Sequence, residues 1–70
     1  MSDRRLVVHL KSVRMQAGLT QAELALMVSV TRKTINTVEN GVFIPSTVLA
    51  LNLARALGVT VETLFTLAAD

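Results

Sequence analysis

Residues 20–41, TQAELALMVSVTRKTINTVENG, decide the fold, because they carry the signals of two short helices joined by a tight turn. Thr20 followed three residues later by Glu23 forms a T-x-x-E capping box, which begins a helix. Thr31 is the N-cap of the next helix, and Gly41 ends it. The pattern therefore predicts a helix-turn-helix unit over residues 20–41.

The second helix of this unit has two unlike sides. Ile35 and Val38 form its apolar stripe, whereas the other side carries four hydrogen-bonding side chains, namely Arg32, Lys33, Asn36 and Thr37. Thr31 also leaves free N–H groups and the positive end of the helix dipole at this terminus, which favours a phosphate nearby. Long donors on an outward helix face suit the acceptors in the major groove of DNA. The alternative is a helical corner that only builds a core.

The start of the chain allows two interpretations. Apolar residues recur at helical spacing at Leu6, Leu10, Val13 and Ala17, and Gly18 ends that helix. Asp3 could cap a helix that begins at Arg4. Alternatively, Leu6–Val8 is a short strand and the helix begins near His9, since paired β-branched residues favour strands. The pattern alone leaves the choice open.

The second half of the chain predicts two more helices. Their signals are Ser46 or Thr47 as the cap of a fourth helix, Gly58 as its end, and Thr60 as the cap of a short fifth helix around residues 61–65. The tail, residues 66–70, either frays or adds a strand. In the second case Phe65–Leu67 would pair with Leu6–Val8, and the small sheet so formed would cap the dimer. The predicted fold is all-α, with five helices in one domain spanning residues 1–70.

Composition limits how this small domain can be stabilised. A chain of 70 residues buries only about 60% of its unfolded surface. The chain has no cysteine, so disulfides are excluded, and a single histidine makes a metal site improbable. Because 51% of the residues are hydrophobic, more apolar surface is present than a small monomer hides easily. We therefore expect a homodimer.

The charge distribution and the lack of long apolar runs indicate the kind of partner. Residues 1–40 carry six Lys and Arg against three acidic residues, while residues 41–70 carry one against two. A basic half favours an anionic partner. No run approaches the roughly 18 apolar residues of a membrane span, and a secretory signal is absent, so we expect a cytoplasmic protein with no membrane partner.

Catalytic patterns are absent from the sequence. His9 has no companion metal ligands, the carboxylates show no paired spacing, and the serines lack a nucleophile-elbow context. A glycine-rich phosphate loop is also missing. We therefore expect neither an enzyme nor a cofactor.

Four pieces taken together identify a family resemblance. GLTQAELA at 18–25, VTRKTINTVENG at 30–41, PS at 45–46 and LARALGVTVETLF at 53–65 resemble the lambda-repressor/Cro-like (XRE-type) helix-turn-helix family, and in particular its small stand-alone regulators. The resemblance covers residues 10–65. It implies five helices, a recognition helix in the major groove, and a homodimer that binds two half-sites. The implied function is a transcriptional regulator of double-stranded DNA, most commonly a repressor.

The resemblance also assigns roles to individual positions. Arg32, Lys33 and Thr37 fall where the family reads base edges, and Asn36 is a possible further base contact. Gln21 matches a position that typically grips phosphate. Further phosphate candidates are Thr20, Thr31, Thr34 and Asn40, by side chain or by backbone N–H. For Thr20 and Thr31, capping alone is an equally good explanation.

Arg14 and Glu39 form a predicted structural ion pair. Arg14 lies four residues after Leu10, on the apolar side of the first helix, and Glu39 lies beside Val38 near the inward side of the third. An unpaired buried guanidinium would cost several kcal/mol, so a partner is expected. Similar family members have a pair between these helices. The alternative is that Arg14 reaches a phosphate.

Two departures from the family pattern carry consequences. Ser29 stands in the turn where most members have a glycine with positive φ, which costs about 1 kcal/mol. Leu26 and Met27 occupy positions that are usually polar. Five further apolar residues are the dimer candidates that we nominate, namely Phe43, Val48, Leu51, Phe65 and Leu67.

Two other functions remain open for the same domain. One is an antitoxin or the controller of a restriction-modification operon, which uses the same DNA-binding unit. The other is an interaction protein that has kept the fold and lost DNA binding, for which the apolar residues 26–27 and 42–44 are the motivation.

Overall fold

Five helices and two short strands make up the computed structural model, which describes residues 6–69. In chain order they are β1 (Leu6–Val8), α1 (Leu10–Gln16), α2 (Gln21–Met27), α3 (Arg32–Glu39), α4 (Thr47–Leu57), α5 (Val61–Leu64) and β2 (Phe65–Leu67). The five predicted helices are confirmed, together with the optional terminal strands. Within the described residues, no helix has the length and apolarity needed to cross a bilayer.

The two strands join the ends of the described chain. β1 pairs antiparallel with β2, with Leu6 opposite Leu67, Val7 opposite Thr66 and Val8 opposite Phe65. The backbone N–H of His9 donates to the carbonyl oxygen of Leu64 at 2.8 Å and continues this connection. Both strands come from one chain, so the sheet forms without a second copy.

The strand pairing resolves the two interpretations of the N-terminal segment. Leu6–Val8 is a strand, and α1 begins only at Leu10. The predicted cap Asp3 and the predicted helix start Arg4 lie outside the described residues, as does Asp70 at the end of the tail. At the other terminus, Phe65–Leu67 is the added strand.

Side-chain hydroxyls begin four of the five helices. Thr20 accepts a hydrogen bond from the backbone N–H of Glu23 at 3.0 Å, and its own N–H donates to Oε1 of Glu23 at 2.9 Å, which completes the capping box. Thr31 and Thr60 cap α3 and α5. Of the two candidates at α4, Ser46 is the cap, accepting from Leu49 N–H at 3.1 Å.

The core is formed where all five helices meet. It contains the side chains of Leu10, Leu24, Ala25, Val28, Ile35, Val38, Leu49, Leu53, Ala54, Leu64 and Phe65. Both inward residues predicted for α3, Ile35 and Val38, are among them. Phe65 corrects an expectation, because it was nominated for the dimer surface and is only 8% exposed. It lies where α5 changes to extended chain, and this position packs its ring on the core of its own protomer.

Candidate nucleic-acid interface

The third helix is attached through one side only. Ile35 and Val38 are completely buried, whereas Arg32, Lys33 and Asn36 are exposed. Thr37 is half-buried, and its hydroxyl donates to the backbone carbonyl oxygen of Thr34 at 2.9 Å. Its oxygen lone pairs therefore stay available to a donor. Four candidate base-contacting residues thus share the accessible side of α3.

The phosphate candidates lie at the helix ends beside this face. Thr20, Thr31 and Asn40 are exposed, while Gln21 and Thr34 are half-buried. The hydroxyl of Thr31 accepts from Thr34 N–H at 3.2 Å, so it already acts as a cap. The N-termini of α2 and α3 still present backbone N–H groups beyond those that the caps satisfy. Such groups bind anions well.

A buried ion pair holds α3 against α1. Arg14 Nε donates to Glu39 Oε2 at 2.6 Å, and Arg14 Nη2 donates to Oε1 at 3.2 Å. The two side chains are 10% and 2% exposed. Arg14 Nη1 donates to the carbonyl oxygen of Leu19 at 2.8 Å. The hydrogen bond from Glu39 raises the pKa of the Arg14 guanidinium, desolvation opposes the shift, and the charge of Glu39 adds to it. All three nitrogens of the Arg14 guanidinium therefore donate within the protein.

Gln21 extends this network to the exposed side of α3. Its Nε2 donates to Oε1 of Glu39 at 2.9 Å and to Oδ1 of Asn36 at 3.1 Å. The family resemblance predicts a phosphate contact for Gln21, and the sequence does not indicate these contacts within the protein. No local pattern indicates them, because the three residues meet only after α2 packs across α3.

The turn between α2 and α3 has the conformation that the family pattern requires. Ser29 has a φ of 59°, and it is the one non-glycine residue with positive φ among residues 6–69. Its N–H donates to the carbonyl oxygen of Leu26. The left-handed conformation is therefore adopted despite the Cβ of serine.

Comparison with known proteins agrees with this geometry. A model of the helix-turn-helix family matches residues 10–64. The chain belongs to the helix-turn-helix family of transcriptional regulators, of the Cro/C1 or XRE type. The matched range contains all five helices.

Relatives of this regulator occur in archaea and bacteria. An HTH-type transcriptional regulator of Methanothermobacter thermautotrophicus is 56% identical over 45 residues, which is 64% of this chain and 65% of the relative. YgzD, an HTH-type regulator of Bacillus subtilis, is 36% identical over 79% of this chain and 83% of its own. The match thus spans slightly less than two thirds of the Methanothermobacter protein.

Solved structures of two regulators share the fold. The restriction-modification controller protein C.AhdI from Aeromonas hydrophila has a TM-score of 0.73 and 33% identity, covering 77% of this chain and 82% of its own. The clp gene regulator ClgR from Corynebacterium glutamicum has a TM-score of 0.73 and 32% identity, covering 76% and 56%.

A second surface of the regulator is apolar. Val48 and Leu51 on α4 are 68% and 55% exposed, Ile44 in the preceding loop is 72% exposed, and Leu67 on β2 is 60% exposed. Phe43 is 47% exposed. A groove of about 480 Å³ runs through this region, and its lining includes Leu6, Ile44, Ala50, Leu51 and Phe65. We refer to Phe43, Ile44, Val48, Leu51 and Leu67 as the apolar surface.

His9 contacts the C-terminal strand of its own chain. Its Nε2 lies 3.0 Å from the hydroxyl oxygen of Thr66 and so connects the residue after β1 to β2. Within residues 6–69, no three side chains of His, Cys, Asp or Glu form a group that could hold a metal ion.

Proposed function

We propose that this regulator is a transcriptional repressor that binds an inverted repeat in double-stranded DNA as a homodimer, with α3 in the major groove. The observation that carries the proposal is the exposed polar side of α3 on a helix whose other side is completely buried. A recognition helix must protrude from its support while remaining rigid, and α3 meets both requirements.

Arg32 and Lys33 supply sequence readout in this proposal. Both are exposed in the first turn of α3 and can donate to O6 and N7 of guanine, the commonest specific contact in the major groove. Thr37, one turn further along, offers a hydroxyl oxygen and a methyl group, which suits a base amino group or the thymine methyl. Asn36 is the fourth base-contacting residue.

Phosphate contacts position the helix in this proposal. Thr20, Gln21, Thr31, Thr34 and Asn40 flank the polar side of α3, and the N–H groups that begin α2 and α3 add to them. The positive charges of Arg32 and Lys33 and the helix N-termini beside them displace counterions from the duplex, so affinity should fall steeply as salt rises.

The apolar surface is the proposed homodimer interface. A two-fold pairing would remove its five exposed side chains from water and would place two α3 helices on one face of the duplex. Successive major grooves require a separation of about 34 Å. Phe43, Val48, Leu51 and Leu67 are the interface residues of this proposal, and Phe65 contributes only as part of the groove lining.

Selection from a randomised duplex library tests sequence-specific binding. We expect an inverted repeat, and we expect Arg32→Ala to relax base choice at one position per half-site by about 1–3 kcal/mol. Equal binding of all duplexes would contradict the proposal and would favour an interaction module. Unchanged preference in the variant would reject the assigned role of Arg32.

Removing one positive charge from α3 or from α4 tests whether DNA binding depends on α3 itself or only on the net positive charge of the protein. Lys33→Ala should weaken sequence-specific binding by about 1–3 kcal/mol, because Lys33 is assigned to a base edge. Arg55→Ala is the matched control, because it removes the same charge from the last turn of α4, beside Met27 and Ser29 at the end of α2. Equal losses from both variants would argue against α3 as the contact.

A controller of a restriction-modification operon is a second candidate. The similarity to C.AhdI, which extends over 82% of that chain, favours it over the antitoxin alternative. Footprinting distinguishes a repressor from a restriction-modification controller. It is done on the DNA upstream of the gene for this regulator, with transcription measured at rising protein concentration. Repression alone supports the proposal, whereas activation followed by repression beside a nuclease gene supports a controller.

A further inference from the structure

We propose that the two copies of the homodimer interlock through Phe43, with the phenyl ring of each copy seated in the apolar groove of the other, against Phe65. The inference rests on the proposed function, because it concerns how the proposed dimer is held together. It follows from the chemistry of the groove walls and from the placement of the two phenylalanines.

The walls of the groove favour an uncharged apolar occupant. Only two of its nine lining residues, Thr47 and Glu62, have polar side chains. The carboxylate of Glu62 repels an anion, and the apolar walls offer no hydrogen bonds to a polar group that would lose its water. An apolar cavity of about 150 Å³ holds a benzene molecule. A groove of about 480 Å³ therefore has room for a phenyl ring.

Phe43 has the size and the position to fill the groove of a second copy. The sequence contains two aromatic residues, and the other one, Phe65, is itself part of the groove lining. Phe43 is 47% exposed and is not among the residues that line the groove of its own chain, although the next residue, Ile44, is. A two-fold axis between ring and groove would bring each Phe43 to the groove of the other copy. Each ring would then meet Phe65 of the facing chain, an aromatic pair.

The loop that carries Phe43 is fixed to α3. The backbone N–H groups of Val42 and Phe43 both donate to the carbonyl oxygen of Thr37, at 3.0 and 3.2 Å. Because the loop is already ordered, seating the ring loses less conformational entropy. The same hydrogen bonds connect the ring to the proposed recognition helix, so the interlock would also fix how the two α3 helices lie relative to each other.

The exposed apolar area agrees with what a stable dimer needs. An interface of standard size buries about 800 Å² on each partner, and about 65% of a homodimer interface is apolar, which is about 500 Å² per copy. The five side chains of the apolar surface are 47% to 72% exposed. At roughly 100 Å² each, they supply about this area. A second copy is therefore an occupant that covers the groove and its surroundings together.

Removal of the ring is the first test. Phe43→Ala should raise the Kd of the homodimer about 30-fold or more, because each dimer loses two seated rings. Val42→Ala is the matched control, since Val42 is the neighbouring residue of the same loop, is 78% exposed and does not line the groove. Its Kd should stay within about twofold of the wild type. Sedimentation equilibrium measures both.

Filling the groove is the second test. Ala50→Phe places a ring in the groove from α4 and should weaken the homodimer as Phe43→Ala does. If this variant does not fold, Thr47→Phe fills the groove from an exposed position in the first turn of α4.

An equimolar mixture of Phe43→Ala with the filled-groove variant combines the two defects. The intact Phe43 of one chain can enter the open groove of the other, and the filled groove faces a partner without a ring. Native mass spectrometry separates the three dimers by mass, and we expect heterodimers to exceed either homodimer about tenfold or more.

Three outcomes would overturn the inference. They are a Phe43→Ala protein that dimerises like the wild type, a mixture without an excess of heterodimer over the statistical share, and binding of the neutral dye Nile red in the groove of the wild-type dimer. The last result, if lost in Ala50→Phe, would mean that the groove stays open in the dimer and suits a small apolar ligand.

Leu51→Lys distinguishes the failure of this inference from that of the proposed function. If Phe43→Ala dimerises normally and Leu51→Lys is monomeric, the proposed interface stands and only the interlock is wrong. If both variants dimerise normally, the proposed interface is wrong as well.

Discussion

Helices α3 and α4 of this regulator are built alike on the inside and differ on the outside. Each begins with a hydroxyl cap and buries an apolar stripe, Ile35 and Val38 in one and Leu49 and Leu53 in the other. On the exposed side, α3 carries Arg, Lys and Asn, while α4 carries the large apolar residues Val48 and Leu51 beside Thr47, Asn52 and Arg55. The buried sides explain the fold, and the exposed sides indicate the partners.

The physical chemistry of the two exposed sides points to different partners. Charged and amide groups lose little when they exchange water for base edges and phosphates, which offer hydrogen bonds in return. Exposed apolar side chains gain free energy only when another apolar surface removes them from water. We therefore propose DNA as the partner of α3 and a second copy of the chain as the partner of the apolar surface that includes α4.

The largest expected effect comes from breaking the attachment of α3. Glu39→Ala would leave the Arg14 guanidinium buried and unpaired, and we expect a loss of about 3–5 kcal/mol in the free energy of unfolding. Urea denaturation measures this loss. The double variant Arg14→Met, Glu39→Leu is the control, and it should be more stable than the single variant because no buried charge remains. If the free energy of unfolding of Glu39→Ala differs from that of the wild type by less than about 1 kcal/mol, the ion pair contributes little to stability.

The next effect tests the assignment of α4. Leu51→Lys places two like charges in a two-fold interface, and we expect this to weaken self-association by several kcal/mol. Sedimentation equilibrium should then report a monomer at concentrations where the wild type is a dimer. Lys33→Ala is the control and should leave the mass unchanged. If Leu51→Lys remains dimeric, the apolar surface is not the dimer interface, and the assignment of a second copy to α4 is wrong.

A smaller effect concerns the turn that joins α2 to α3. Ser29 adopts a φ of 59°, where a Cβ is unfavourable, so Ser29→Gly should stabilise the protein by about 1 kcal/mol. Thermal unfolding measures the change. Ser29→Val should be destabilising, since a β-branched residue tolerates positive φ poorly. An unchanged melting temperature in the glycine variant would indicate that the entropy of the unfolded glycine chain offsets the relieved strain.

The smallest expected effect is a difference in the pH dependence of stability between the caps of α2 and α4. Hydrogen bonds from the N–H of Thr20 and then from its side chain lower the pKa of Glu23 below its ordinary value of 4.5. The stabilisation from Glu23 is therefore complete above the unfolded-state pKa and is lost as the pH falls through the folded-state pKa.

Variants of the two caps make this difference measurable. Glu23→Gln should be less stable than the wild type at neutral pH, and the gap should close on acidification. Ser46→Ala is the control, because the α4 cap uses a hydroxyl without a carboxylate and should lose about 1 kcal/mol at every pH. Parallel pH profiles for Glu23→Gln and the wild type would contradict the assignment.

Much of the fold was predictable because its signals are local. Hydroxyl caps at Thr20, Thr31 and Thr60 mark helix starts within four residues, and Gly58 marks an end through its left-handed conformation. The inward stripe of α3 follows from helical periodicity alone. The candidate base contacts on α3 could be named for the same reason, since they are the remaining positions of one short helix.

The rest depends on contacts between segments far apart in the chain. The choice between helix and strand at Leu6–Val8 was open, because its outcome depends on pairing with residues about 60 positions away. Phe65 was assigned to a surface because a single apolar residue at a helix end gives no periodicity from which burial can be inferred. The contacts of Gln21 with Asn36 and Glu39 were not predicted, because both partners lie on another helix.

Sequence by itself determined the helices, their caps, the helix-turn-helix unit and the polar composition of α3, since each depends on residues within about one helical turn of one another. Only the tertiary structure decided which apolar residues stay in water, how the chain ends pair, and how a buried carboxylate and two amides are joined at the edge of α3. Those features depend on the positions of several elements at once, and no local pattern encodes them.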